Sequence, residues 1–92
     1  MIVRILGEGQ LQVDDSASAE LNSLDAALER TVNSGDEAAF RSALVALLDR
    51  VRALGTPLAA ETLEPSDSIL PRADADLDEV RSMLTDEGYI PG

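Results

Sequence analysis

The sequence has no cysteine, no histidine, no lysine and no tryptophan, and its aromatic residues are one Phe and one Tyr. Without cysteine there is no disulfide framework, no thiol nucleophile and no thiolate metal site. Without histidine there is no imidazole acid–base chemistry, and without lysine no Schiff base. So little aromatic surface offers nothing for bases to stack on. Positive charge is scarce as well: seven bases, all arginine, stand against 18 acids, for a formal net charge of −11. Nucleic acid should repel such a chain, and the same sign opposes direct binding to anionic lipid headgroups. Neither a cofactor nor a catalytic site is expected.

Long hydrophobic runs are also missing. The opening MIVRILGEG has Arg4 between short apolar stretches, and it lacks the extended core and small-residue cleavage site of a secretory signal. No stretch approaches the roughly 20 apolar residues that cross a bilayer. The longest helical candidate, 36–54, carries Arg41, Asp49, Arg50 and Arg52, so it should lie against protein rather than in lipid. The expected compartment is the cytoplasm.

What is present is aliphatic. The chain has 92 residues, of which 45% are hydrophobic, enough for a packed core in a single domain spanning 1–92. A chain of this size buries only about 60–65% of the surface its unfolded form exposes, so its margin of stability is modest.

Residues 3–13 alternate apolar and polar on both sides of Gly7-Glu8-Gly9, which predicts a β-hairpin. With the turn centred on Glu8, Val3 pairs with Val13, Arg4 with Gln12, Ile5 with Leu11 and Leu6 with Gln10. Val3, Ile5, Leu11 and Val13 then share one apolar face. Ile2 and Leu6 are left on the polar one. A lone two-stranded ribbon is marginal in water, so it must lie on helices, gain a further strand or pair with another chain.

Residues 16–33 carry Leu21, Leu24, Leu28 and Val32 at helical spacing, behind several potential N-caps from Asp14 to Ser18. Gly35 is placed to end this helix in the left-handed conformation. Asp36 or Ser34 is placed to cap the next, and Ser34 with Glu37 has capping-box spacing. The second helix, 36–54, carries Phe40, Leu44, Leu47, Val51 and Leu54, with Leu48 widening the stripe, before Gly55-Thr56-Pro57 stops it. Two amphipathic helices joined this tightly predict an antiparallel αα-hairpin.

Beyond Thr56 the prolines at 57, 65 and 71 deny the chain any long element. Ser68–Leu70 reads as a short edge strand. Residues 76–86 read as a short third helix with Leu77, Val80, Met83 and Leu84 on its apolar face. The fold class is therefore α+β: an N-terminal β-hairpin, an αα-hairpin, and a Pro-interrupted C-terminal segment with a short helix.

Two motifs fail on inspection. Gly7-x-Gly9 begins like a dinucleotide fingerprint, but position 12 is Gln12 and a strand follows where a helix is required. Asp74-x-Asp76-x-Asp78 begins like a calcium loop, but Glu79 replaces the turn glycine and Thr85 the bidentate Glu. Acids at a helix start, complementing its dipole, explain the second pattern better. A carboxylate-based enzyme or divalent-ion binder remains the rival from another class, and a regulatory homodimer the other alternative.

Charge is uneven along the chain. Residues 14–39 sum to −6 and 56–92 to −7, whereas 40–55 sum to +2. Arg41, Arg50 and Arg52 are accordingly candidates for contact with an acidic partner surface. Ile2, Leu6, Tyr89 and Ile90 are candidates for apolar contact, since nothing local buries them.

Three blocks carry a resemblance to a known family: MIVRILGEGQ at 1–10; DEAAF at 36–40 with LLDRVRALGTP at 47–57; and PSD at 65–67, LP at 70–71, LDEVR at 77–81 and EGYIPG at 87–92. In these, in order and over nearly the full length, the chain resembles the PspA-associated proteins of phage-shock loci, the PspAA family. The resemblance implies no catalytic residues. It implies a cytoplasmic partner of PspA, the coiled-coil protein that assembles on stressed inner membranes, and contact with the membrane only through PspA.

Overall fold

The computed structural model describes residues 1–59 and 65–83 of the chain. β1 (Ile2–Ile5) and β2 (Gly9–Gln12) form the N-terminal hairpin. A 3-10 turn at Asp15–Ala17 leads into α1 (Ser18–Ser34), and α2 (Glu37–Leu54) follows after a two-residue break. β3 (Thr56–Pro57), β4 (Ser68–Leu70) and α3 (Leu77–Met83) complete the described elements. The strands form one sheet in the order β3-β2-β1-β4, with β1–β2 and β2–β3 antiparallel and β1–β4 parallel.

The hairpin register differs from the expected one. Val3 pairs with Leu11, Arg4 with Gln10, Ile5 with Gly9 and Ile2 with Gln12, two residues away from pairing around Glu8. The turn spans Ile5 to Glu8, closed by the Glu8 N–H donating to the Ile5 carbonyl at 2.9 Å. Gly7 supplies the φ of +85° that the third position of a type II turn requires. Because side chains alternate with period two, a two-residue shift leaves every residue on its expected face. Val3, Ile5, Leu11 and Val13 are all buried together. Met1 and Val13 extend the ladder through reciprocal backbone bonds of 2.7 and 2.8 Å.

Both helices bury the stripes their spacing predicts. α1 buries Leu21, Leu28 and Val32, with Leu24 half-buried, and α2 buries Phe40, Leu44, Leu47, Leu48 and Val51. Gly35 ends α1 at φ +75°, a conformation that L-residues adopt only with strain. The cap of α2 is Asp36, whose carboxylate accepts from the Ala39 N–H at 3.1 Å. Ser34 does not form a capping box. Its hydroxyl donates to the Thr31 carbonyl and accepts from the Asp36 N–H. Asp14 is the cap at the front, accepting from the Ser16 N–H at 2.8 Å. Gly55 closes α2 for a steric reason: a Cβ there would stand 2.8 Å from the Val51 carbonyl and 2.9 Å from the Leu11 Cβ.

The ribbon obtains both helices and further strands. The αα-hairpin covers the apolar face of the sheet, and Leu70 of β4 joins the same core. Ser68–Leu70 is the expected edge strand, but Thr56–Pro57 does more than stop a helix. Those two residues form the other edge strand, where a proline is tolerated because it need not donate to an inner neighbour. α3 begins one residue later than expected, with Asp76 as its cap: the Asp76 carboxylate accepts from the Glu79 N–H at 2.7 Å. Val80 is fully buried and Leu77 packs on the core. The expected end of that helix beyond 83, and the Met83 and Leu84 side chains, lie outside the described residues.

Leu44 and Val45 are adjacent on α2 but differ fully in environment: 0% against 41% exposed. Leu44→Ala should lower the unfolding free energy by about 2–5 kcal/mol, and Leu44→Asp should leave no folded domain. Val45→Ala should stay within about 0.5 kcal/mol of wild type. Urea denaturation followed by circular dichroism measures all three.

Candidate functional site

The three candidate arginines of α2 are all exposed, and each bonds to a distant part of the chain. Arg41 lies over the Phe40 ring at 5.4 Å and donates to the carbonyls of Ala73 and Ala75 at 2.5 and 2.8 Å. Arg50 forms an ion pair with Glu20 in the first turn of α1. Arg52, in the last turn of α2, grips Glu8 of the hairpin turn with two nitrogens and reaches Asp49 at 2.8 Å. Its position also complements the negative end of the helix dipole. The second helix, the one net-positive segment, therefore uses its charge to fasten the hairpin, α1 and the chain before α3.

These pairs shift the groups that make them. The hydrogen bond from Arg52 holds the Glu8 carboxyl below its ordinary value of 4.5, and the bond from Arg50 does the same for Glu20. The arginines are raised in turn, chiefly by the same bonds. All four groups are largely solvated, so each pair is a weak tether that salt screens.

Ile2 and Leu6 are half-buried, not exposed. Asp67 bonds Ile2 in both directions, its N–H donating to the Ile2 carbonyl and its carboxylate accepting from the Ile2 N–H, each at 2.7 Å. Leu6 donates its N–H to the Leu70 carbonyl at 3.0 Å. Ile2 also lines a shallow depression of about 520 Å³ with Met1, Gln12, Asp15, Ser18 and Asp67. Tyr89 and Ile90, the remaining candidates, lie outside the described residues.

Two apolar side chains that sequence reading did not single out are exposed instead. Ile69 is 48% exposed beside Arg4 on the sheet face opposite the helices, and Val45 is 41% exposed on the solvent side of α2. Each lay in an element whose type was legible. Which of its residues faced outward depended, for Ile69, on register with β1, which local sequence does not carry. Gln10, on the same sheet face as Ile69, is covered by Ser66, whose hydroxyl accepts from the Gln10 amide at 2.8 Å. Asp25 is a second surprise. It is 4% exposed on the inner stripe of α1 between Leu21 and Leu28, and it is engaged by a polar partner.

Among the described residues, no three acidic side chains converge as metal ligands would, and no helix is long and apolar enough to cross a membrane. Asp76, one of the three aspartates with calcium-loop spacing, is turned to its own helix start.

The Glu8 and Glu20 pairs give stability a pH dependence of known sign. A carboxyl whose folded pKa is depressed contributes stability above its unfolded value and loses that contribution as pH falls through the folded value. The acid-side decline should therefore begin below pH 4.5. In Glu8→Gln/Glu20→Gln, stability at neutral pH should fall slightly and the decline below pH 4.5 should be shallower. Urea midpoints across the acid range check both; a decline as steep as wild type would remove these pairs from the account.

A comparison with protein families matches residues 1–92 to the family described as PspAA, PspA-Associated protein. Comparison with curated proteins gives no match, and neither does comparison with solved structures. The match runs from the hairpin through both helices to the end of the sequence, the same span over which the three sequence blocks lie. The chain belongs to the PspAA family of PspA-associated proteins.

Proposed function

We propose that this chain is a non-enzymatic accessory protein of the phage-shock envelope-stress response, and that it acts by binding PspA or its assemblies. The observation that carries this reading is the family match over the whole length. The side-chain inventory supports it, since histidine, cysteine and lysine are absent and the reactive groups left are carboxylates and hydroxyls. The charge supports it too. A surface of net −11 is drawn to a basic protein face and kept from anionic lipid, so the chain reaches the inner membrane through PspA and otherwise stays in the cytoplasm.

Contact is assigned to the surfaces around the two exposed large apolar side chains, Val45 on α2 and Ile69 on the sheet. Apolar area left in water gives affinity when a partner covers it.

The test is co-purification of PspA with the tagged chain from its native host, with crosslinking under envelope stress. PspA should be retained by the wild-type protein and reduced in Val45→Glu or Ile69→Glu, both of which should keep the wild-type melting temperature. Failure to recover PspA under any of these conditions would refute the proposal. Retention by both variants would refute the assigned surfaces and leave the partner standing.

A further inference from the structure

The chain after β4 is attached differently from the rest of the molecule. Up to Arg72 it still belongs to the sheet: Leu70 and Pro71 are buried, and the stem of Arg72 lies against Gly7 of the hairpin turn. From Ala73 onward the described residues bury little, namely Ala75 and Val80, with Leu77 half-buried. α2 alone buries Phe40, Leu44, Leu47, Leu48 and Val51. Apolar stabilisation scales with buried area, so residues 73–83 rest on a much weaker footing than the helices they touch.

Among the described residues, two guanidinium groups tie this segment to the helices. Arg41 reaches from α2 to the carbonyls of Ala73 and Ala75, on either side of Asp74. Arg81 reaches from α3 to the Val32 carbonyl in the last turns of α1 at 3.0 Å. These bonds meet neutral carbonyls, so they depend on geometry and not on a partner's charge. Further bonds among the described residues are local: the Ala75 N–H donates to the Arg72 carbonyl, the Val80 N–H to the Asp76 carbonyl, and the Glu79 N–H to the Asp76 carboxylate. The seven described residues of α3 are too few to hold a helix in water on their own, so their undocking and unwinding are one event.

We propose that residues 73–83 form a strap across the closed end of the αα-hairpin, beside the Gly35–Asp36 junction, latched by Arg41, and that it opens as a unit while the sheet, α1 and α2 stay folded. Opening frees the Arg41 guanidinium and uncovers the ends of α1 and α2 around Val32 and Phe40. Pro71 and Arg72, held to the sheet, are the hinge. The molecule then has two states that differ in which apolar and cationic groups it presents.

Amide hydrogen exchange on the full-length chain tests this. In wild type, amides of 77–83 should exchange at least about tenfold faster than those around Leu44 and Val51, and their exchange should respond weakly to dilute urea, as sub-global opening does. In Arg41→Gln, which removes charge-assisted bonds, protection of 75–83 should fall by about tenfold or more, with α1, α2, β1 and β2 unchanged. Arg30→Gln, at an exposed position of α1, should leave the strap as it was. Equal protection and equal urea dependence of 77–83 and α2 in wild type would overturn the proposal, and that measurement does not require any variant to fold. An acceleration in Arg41→Gln spread over every element would overturn it as well, as would no change at 75–83.

Discussion

A sheet with one apolar face must have that face covered, and this constraint organises the whole molecule. Val3, Ile5, Leu11, Val13 and Leu70 make up the face, and the stripes of α1 and α2 cover it. The sheet is too short to be stable as a ribbon, and the helices would expose their leucines if separated from it. Neither layer is viable alone. Among the described residues the buried core contains one aromatic residue, Phe40, and is otherwise leucine, valine, isoleucine and alanine. Its stability comes from aliphatic packing over a small area, so single buried leucines carry a large share of it.

On this core lies a sparse set of polar ties, and arginine supplies many of them. Arg50 links the two ends of the αα-hairpin at its open side, Arg52 links the helix layer to the hairpin turn, and Arg41 and Arg81 hold the chain around α3. In a chain with 18 acids and seven bases, committing arginines to internal contacts leaves a strongly negative exterior. On the function proposed above, that exterior favours a basic protein surface over anionic lipid or nucleic acid. The composition that excludes most chemistry thus also narrows the class of partner.

What the sequence revealed was what depends on local spacing. Leucines at steps of three and four gave both helices, Gly35 and Asp36 gave their junction, and alternation gave the faces of the hairpin. What it concealed depends on distance along the chain. The place of the turn is not legible because Gly7 and Gly9 both permit positive φ, and only the structure shows that Gly7 fills the third turn position. β3 is two residues long and contains Pro57, so it leaves no strand signature. The parallel pairing of β4 with β1 joins residues more than 60 positions apart, and without it the outward direction of Ile69 has no basis. The partners of Arg41, Arg50 and Arg52 are 30 to 44 residues away, so these side chains could be read as cationic but not as tethered. The burial of Asp25 on the inner stripe of α1, and of Gln10 on the outer sheet face beneath Ser66, is visible only once the packing is known.

The central claim is that a folded, acidic module works by docking on PspA. Sedimentation velocity of the purified chain mixed with purified PspA measures that interaction with no other component present. The account predicts that this chain shifts into the faster PspA boundary, saturably and with its circular dichroism unchanged. Independent sedimentation of the two proteins at every concentration and ratio would contradict it.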